Sequence, residues 1–349
     1  MKIASVGSAF PPHYYDQDTL LEAFKRHWAD RVFHLERLEA LHRNVLVGGR
    51  HLAVPLEEYP RLDTWGKAND TWIKVAVEIG ERAVRDGLAR AGLHPADVDA
   101  FYFVSTTGIA TPSIDASLVN RLELPTRVKR LPIFGLGCAG GAAGVARAAD
   151  YLRACPGEVA VLLSVELCSL TLQPDDFSIP NLIASGLFGD GAAAAVVVGA
   201  GRAAGGPEIA ATRSVFYPDS ERIMGWDISE RGFQVVLSAE LPELVRRQVR
   251  DDVDRFLGEH GLARDDIQSW VCHPGGPKIL EAMRDALELD GQALELTWRT
   301  LRERGNLSSA SVLLVLQETM ESARPESGSW GMMMAMGPGF CSELLLLRW

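Results

Sequence analysis

The feature that most constrains the fold of this 349-residue chain is a faint internal duplication. Gly92 ends a predicted helix and Asp97 precedes a predicted strand, and the same order recurs 169 positions later at Gly261 and Asp266. A period of this length indicates two copies of one domain, because solenoid repeats are far shorter. The chain is therefore expected to fold as two related halves.

Each half alternates predicted strands with helices, which is typical of α/β layering with helices packed on a sheet. The continuous apolar run Ala192–Val198 predicts a strand covered on both faces. An amphipathic helix is predicted to begin at Asp70. The Gly/Ala-rich stretch around Ala200 is the predicted boundary, which gives halves of residues 1–200 and 201–349.

Composition excludes several classes of protein. The formal net charge of −11 and the pI near 5.3 argue against a nucleic-acid partner. No apolar run reaches the roughly 18 residues of a membrane-spanning helix, and the N-terminus lacks the apolar segment of a secretory signal. The five cysteines form neither a C-x-x-C pair nor a Cys/His metal spacing. This pattern predicts reduced thiols, a cytoplasmic location and no metal site.

Cys138 is the first candidate catalytic residue. An apolar strand at 131–134 leads through Gly135 and Gly137 to this cysteine, and a helix of small residues follows. A cysteine is often only a small core residue. At a helix N-terminus, however, the dipole and the free N–H groups favour the thiolate. The local context therefore favours a nucleophile with a lowered pKa.

His273 and Asn306, both in the second half, are the candidate partners of Cys138. His273 ends a predicted strand before a Pro- and Gly-rich turn, a setting that projects a side chain into a cleft. Asn306 could simply cap the helix that follows it. It lies 168 positions after Cys138, however, and so is its counterpart in the duplication. A pseudo-twofold axis would bring these two helix starts to one site.

The motifs GLGCAGG, LFGDGAAA, HPGGP and GNLSSAS, with a C-terminal MGPGF, resemble the type III polyketide synthases, the chalcone-synthase-like family. The resemblance spans nearly the whole chain, and HPGGP together with GNLSSAS is its most specific part. It implies an α/β fold, the duplicated thiolase-like αβαβα five-layer sandwich, in agreement with the repeat. It also implies a homodimer.

The resemblance places the family's catalytic residues on Cys138, His273 and Asn306. In the implied reaction Cys138 takes an acyl group from an acyl-CoA, with His273 as its ion-pair partner. His273 and Asn306 then stabilise the enolate that forms as malonyl-CoA loses CO2. The enolate attacks the acyl thioester, and the cycle repeats before the product cyclises. Acyl-CoA and malonyl-CoA are thus the implied substrates, and no cofactor is implied.

The resemblance also implies a substrate cavity. Phe188 matches a gatekeeper at its mouth, whereas the second gatekeeper falls on Val235, with the aromatic Phe233 two positions earlier. The other matched positions are Thr106, Thr111, Cys168, Thr171, Ala184, Trp226, Ser308, Gly337, Pro338 and Gly339. Basic contacts with CoA are expected near the N-terminus, where the candidates are Arg37, Arg43 and Arg50.

The sequence leaves the starter group open. Fatty-acyl starters that give alkylpyrones or alkylresorcinols are the first expectation, and malonyl-primed naphthalene formation is the second. A ketoacyl synthase III-like enzyme is a further alternative, although its histidine usually precedes Gln-Ala-Asn and not Pro-Gly-Gly-Pro. A hydrolytic thioesterase would not need Asn306, and a non-catalytic scaffold should have lost part of the Cys–His–Asn set.

Overall fold

The structure is a computed structural model that describes residues 1–28 and 35–349. Its strands are β1 (Lys2–Ala9), β2 (His13–Asp16), β3 (Gly49–Leu52), β4 (Ala100–Val104), β5 (Lys129–Ile133), β6 (Val159–Leu167), β7 (Asp190–Val198), β8 (Glu208–Phe216), β9 (Met224–Ser229), β10 (Gly232–Leu237), β11 (Ile267–Cys272), β12 (Trp330–Gly337) and β13 (Cys341–Arg348). Its α-helices are α1 (Gln17–Trp28), α2 (Leu35–Asn44), α3 (Trp65–Ala91), α4 (Asp115–Arg121), α5 (Gly140–Ala154), α6 (Ile179–Leu187), α7 (Leu241–Gly258), α8 (Pro277–Leu287), α9 (Glu295–Arg304) and α10 (Ser311–Ser322).

The strand order repeats between the two halves of the chain. Nine strands form one sheet in the order β11-β12-β13-β8-β1-β7-β6-β4-β5. β1 and β8 meet at the pair Lys2 and Glu208, and from this seam the order runs β1, β7, β6, β4 in one direction and β8, β13, β12, β11 in the other. The pairs β4/β6 and β11/β12 are both parallel, and the pairs β6/β7 and β12/β13 are both antiparallel. This symmetry confirms the duplication, and β5 is the additional edge strand of the first half.

Local structure repeats at the predicted landmarks. Gly92 and Gly261 both follow a long helix with positive φ, +66° and +68°. Asp97 then accepts a hydrogen bond from His94 N–H at 2.9 Å, and Asp266 accepts one from the equivalent backbone N–H at 2.8 Å. The same side chains therefore build the same turn before β4 and before β11.

The layers follow from which face of each strand is apolar. Alternate residues of both half-sheets enclose α5 and α10 in one buried core. The opposite face of the first half-sheet packs on α3, and that of the second packs on α7 and α8. The resulting order, α3, sheet, α5 with α10, sheet, α7 with α8, is the αβαβα sandwich that the sequence predicted. β7 is buried along its whole length, as expected for a strand covered on both faces.

The start of α3 was predicted too late. The helix begins at Trp65, and Thr64 caps it by accepting a hydrogen bond from Lys67 N–H at 3.3 Å. Gly66 in the first turn disguises this start, because glycine is a poor helix former. Asp70 lies inside the helix.

No helix in the ranges 1–28 and 35–349 is both long and apolar enough to cross a membrane.

The central helix layer generates a prediction. Gly141 in α5 packs closely on the second half of the chain. An added Cβ would overlap the carbonyl oxygen of Ser309 and lie 3.0 Å from Val312. Gly→Ala inside a helix normally stabilises by roughly 0.5–1 kcal/mol, but here overpacking by about 1–3 kcal/mol should dominate. We expect Gly141→Ala to lower the melting temperature by several degrees in a thermal unfolding scan.

The matched control is Gly157→Ala, since a Cβ on this exposed turn glycine meets no atom within 4 Å. Its melting temperature should equal that of the wild type. Equal melting temperatures for Gly141→Ala and the wild type would contradict the close contact between the two halves.

Candidate active site

Cys138 lies where a strand gives way to a helix. It sits in the single 3₁₀ turn Gly137–Ala139, between β5 and α5. Gly137 has a φ of +47°, and a Cβ there would come within 2.5 Å of the Pro338 ring. Glycine is therefore required for the loop at 337–339 to close over this turn. The Cys138 side chain is left 5% exposed.

His273 follows β11 directly. Its backbone N–H donates to the carbonyl oxygen of Met334 at 2.9 Å, which extends the pairing with β12. The side chain is 5% exposed, and neither ring nitrogen has a hydrogen-bond partner among the described residues. Because leaving buried polar atoms unpaired costs free energy, this imidazole has the character of a group that binds substrate or exchanges a proton.

Asn306 joins the thiol to the turn that carries His273. Its amide nitrogen donates to the carbonyl oxygen of Gly275 at 3.4 Å, and its side-chain oxygen accepts from Ser308 N–H at 2.8 Å. Cys138 Sγ lies 3.7 Å from Ser308 Oγ. Hydrogen bonds to Ser308 and Asn306 both lower the pKa of the thiol. Cys138 from the first half thus meets Asn306 and Ser308 from the second, and Asn306 also contacts the turn that follows His273.

Burial sets the protonation of the resting site. Desolvation raises the pKa of Cys138 to about 12, against the smaller lowering by Ser308 and Asn306, and lowers the pKa of His273 to about 3. The prediction that this turn lowers the pKa of Cys138 is therefore wrong, because loss of water outweighs the helix terminus. At neutral pH both the Cys138 thiol and the His273 imidazole are therefore neutral.

Glu166 is a buried carboxylate that sequence reasoning missed. It lies in the largely apolar strand β6 and accepts hydrogen bonds from Thr106 N–H at 3.1 Å, from the Thr107 hydroxyl at 2.9 Å and from the Ser309 hydroxyl. Burial raises the pKa of Glu166, while these donors lower it in part. Since Ser309 follows Ser308, the carboxylate connects the first half to the residue that contacts Cys138. A charged residue within an apolar strand was the available signal.

The predicted cavity residues differ in how deeply they are buried. Cys168 and Thr171 share one buried 3₁₀ turn, where the threonine hydroxyl donates to the cysteine carbonyl oxygen at 2.8 Å. Thr111 lies on an exposed loop before α4 and not among buried side chains. The remaining positions are either buried, namely Thr106, Ser308 and Gly337, or partly exposed, namely Ala184, Phe188, Trp226, Val235, Pro338 and Gly339.

The second gatekeeper position lies in an aromatic cluster. Phe233 is 2% exposed, and its ring centroid lies 6.2 Å from that of Trp65, 6.0 Å from that of Trp226 and 6.5 Å from that of Phe134. Val235 is only partly buried and pairs with Trp226 across the β9–β10 hairpin. Both residues lie on the same face of β10, since they are two positions apart. Phe233 is therefore the aromatic residue that anchors this hairpin.

One of the three candidate CoA contacts is wrong. Arg37 and Arg43 are exposed on α2, and Arg43 pairs with Glu39. Arg50 is 1% exposed and donates its hydrogen bonds to backbone and side chains inside the fold. A guanidinium without access to solvent cannot meet the phosphates of a CoA that binds at the surface.

No cluster of three or more His, Cys, Asp or Glu suited to a metal ion occurs in the part of the chain that the structure describes.

Comparison with known proteins identifies the family. The model for the N-terminal domain of chalcone and stilbene synthases matches residues 1–202, and that for the C-terminal domain matches residues 208–349. A 1,3,6,8-tetrahydroxynaphthalene synthase of Streptomyces peucetius subsp. caesius is 51% identical over 99% of this chain and 93% of its own length. A phloroglucinol synthase of Pseudomonas fluorescens is 32% identical over 97% of each chain.

Solved structures agree. The crystal structure of 1,3,6,8-tetrahydroxynaphthalene synthase from Streptomyces coelicolor A3(2), a bacterial type III polyketide synthase, superposes with a TM-score of 0.95 at 31% identity. The match covers 100% of this chain and 99% of that one. Fold and site thus define a thiolase-like acyltransferase that uses CoA substrates without a metal or organic cofactor. The chain belongs to the chalcone and stilbene synthase family, the type III polyketide synthases.

The neutral resting site generates a prediction about the thiol. In His273→Gln no imidazole can take the proton of Cys138, so burial alone keeps the thiol protonated. We expect alkylation of Cys138 by iodoacetamide at pH 7 to slow at least about tenfold, and its rise with pH to move to higher pH, because the thiolate loses the imidazolium as a cationic partner. Peptide mass spectrometry after timed quenching measures this rate. His260→Gln, which alters an exposed histidine in the turn that follows α7, is the control. An unchanged pH profile in His273→Gln would show that His273 does not take the proton.

Proposed function

We propose that this type III polyketide synthase uses malonyl-CoA both as starter and as extender and makes a tetrahydroxynaphthalene-type product. The observation that carries the proposal is the 51% identity, over nearly the full length of both chains, with a 1,3,6,8-tetrahydroxynaphthalene synthase. A second enzyme of that name is 33% identical over 97% of this chain. The relatives compared above are named for tetrahydroxynaphthalene and phloroglucinol, so the fatty-acyl starter expected from the sequence stays a prediction.

Cys138 holds the growing chain. His273 takes the thiol proton, the thiolate attacks the malonyl thioester carbonyl, and the CoA thiol leaves with the proton. The neutral pair supports this step, since the two charges are created together and leave no net charge to solvate. The turn is closely packed, since a Cβ on Gly337 would overlap the Leu136 carbonyl oxygen and come within 2.7 Å of the Ala139 nitrogen.

His273 and Asn306 serve the second substrate. A neutral imidazole and an amide are both hydrogen-bond donors. Neither ring nitrogen of His273 has a partner among the described residues, and the Asn306 amide makes a long bond of 3.4 Å to Gly275 and a further one to the Cys138 thiol. Once Cys138 is acylated, both donors can bind the thioester oxygen of malonyl-CoA as the carboxylate leaves and negative charge develops there. Donors held in place for a developing oxyanion are typically worth about 10²–10³ in rate each.

The atoms of the product fix the stoichiometry. A naphthalene ring system has ten carbons, and each malonyl unit that loses CO2 contributes two. Five malonyl-CoA molecules therefore give one tetrahydroxynaphthalene, five CO2, five CoA thiols and one water. The sum requires no oxidant or reductant, so the reaction needs nothing beyond malonyl-CoA and this site.

The direct test is an incubation with malonyl-CoA as the sole substrate under argon, followed by mass spectrometry of the products. We expect tetrahydroxynaphthalene from the wild type and none from Cys138→Ala, which lacks the attachment point. A parallel panel of acyl-CoA starters from acetyl to stearoyl competes with malonyl priming. Pyrones or resorcinols that appear only with a long starter would replace this proposal with the fatty-acyl one. Reaction with malonyl carrier protein but not with malonyl-CoA would favour a ketoacyl synthase.

We also propose that the protein is a cytoplasmic homodimer whose halves, residues 1–200 and 201–349, form the two thiolase-like units. The edge strand β5 supports a self-associating surface, since Leu131 is 47% exposed on it and Phe134 beyond it is 52% exposed. An unpaired edge that carries apolar side chains is a ready template for a second chain. Five free cysteines support a reducing compartment.

The β5 surface can be tested by charge. We expect Leu131→Glu to shift the protein from dimer to monomer in size-exclusion chromatography with light scattering, because it places a desolvated carboxylate in the interface. Leu46→Glu, which alters a similarly exposed leucine elsewhere (53% exposed), should stay dimeric. Loss of the dimer in both variants, or in neither, would place the interface away from β5.

A further inference from the structure

Arg50 is a buried cation that the proposed chemistry does not use. It lies on β3, is 1% exposed and has a pKa lowered by burial to about 10, so it remains protonated at neutral pH. Burying a guanidinium is costly unless its donors are well satisfied. The partners that compensate this burial therefore indicate what Arg50 does.

Those partners are the last carbonyl groups of α6. Nη1 donates to the carbonyl oxygen of Gly186 at 2.7 Å, and Nη2 donates to that of Ser185. Gln17 adds a second donor to Gly186 at 3.0 Å and accepts from Nη1. Helix ends leave such carbonyls without partners and carry partial negative charge. Arg50 and Gln17 together thus clamp the C-terminus of α6.

The clamped helix end holds Asn306. Asn306 N–H donates to the carbonyl oxygen of Leu187 at 2.9 Å, and Gly189 N–H donates to the carbonyl oxygen of Asn306 at 3.0 Å. These two bonds bracket Phe188, which pairs with Asn306 as an isolated parallel bridge. The backbone of the catalytic asparagine is therefore fixed to the residue that ends α6 and to the one after Phe188.

The stem of Arg50 also packs directly against this bridge. A Cβ on Gly189 would come within 3.1 Å of Arg50 Cβ, and a Cβ on Gly305 would come within 3.5 Å of Arg50 Cδ and 2.7 Å of the Leu187 carbonyl oxygen. The guanidinium and the aliphatic stem of Arg50 thus contact the two segments that form the bridge between Phe188 and Asn306. Cys138 and His273, in contrast, are carried by the turn before α5 and by the end of β11.

We propose that Arg50 is a positioning residue for Asn306 and Phe188. It determines the rate of malonyl decarboxylation and leaves the reactivity of the Cys138–His273 pair largely unchanged. The inference rests on the proposed function, because malonyl-CoA is the substrate that Asn306 serves. Arg50 itself touches no substrate. It acts through the backbone segment that carries the Asn306 amide.

The test compares two readouts in Arg50→Met, Arg50→Lys and the control Arg284→Met, an exposed arginine of α8 that pairs with its neighbour Asp285. The first readout is release of labelled CO2 from malonyl-CoA, and the second is alkylation of Cys138 by iodoacetamide. In Arg50→Met we expect kcat for decarboxylation to fall about 10²-fold, as for a catalytic group misplaced by about 1 Å. Alkylation should stay within roughly threefold of wild type, since Cys138 and His273 are carried elsewhere and loss of the Asn306 contact removes only the smaller of the two side-chain hydrogen bonds that lower the pKa of the thiol.

Arg50→Lys should lie between wild type and Arg50→Met, because lysine keeps the charge but not the planar fork that serves two carbonyls. Parallel loss of decarboxylation and alkylation would show a merely structural role, and unchanged decarboxylation in Arg50→Met would also overturn the inference. If Arg50→Met does not fold, Gln17→Leu removes the neutral part of the same clamp and should show the same split at smaller size. A wild type that releases no CO2 would instead refute the proposed function.

Discussion

The structure depends on the meeting of two turns at the centre of the molecule. Gly137–Ala139 opens α5 in the first half, and Ser308–Ala310 opens the equivalent helix in the second. They approach closely because Gly141 presents no side chain to Ser309, and because the Glu166 carboxylate binds the Ser309 hydroxyl. A duplicated fold with this contact places residues from distant parts of the chain in one site. Neither half contains the site alone.

The same packing determines the electrostatics. Exclusion of water makes Cys138 a poor acid and His273 a poor base when each is considered alone. In a dry site, however, charges that form together attract strongly and leave no net charge to solvate. Proton transfer between the two groups therefore adds no net charge to the buried site, and a donor near a developing oxyanion acts at low dielectric. The buried carboxylate of Glu166 is tolerated because hydroxyl and backbone donors surround it.

Sequence reasoning reached what local patterns encode. The duplication and the strand-to-helix turn at Cys138 were predictable, because glycines, apolar runs and a repeat spacing report on backbone geometry directly. The five-layer order came from the resemblance to the family. It missed Glu166 and misassigned Arg50, since whether a charged side chain is buried depends on segments far away in the chain. It also misjudged the pKa of Cys138, because desolvation is a property of the assembled core and not of the helix start.

The central claim is that Cys138, in this composite site, holds a chain built from malonyl units. The most direct measurement is rapid-quench peptide mapping of the protein after milliseconds to seconds with malonyl-CoA. We expect a series of acylated forms of the Cys138 peptide, each longer than the one before by one two-carbon ketide unit. Acyl label on another residue, or product formation with Cys138 never acylated, would contradict it.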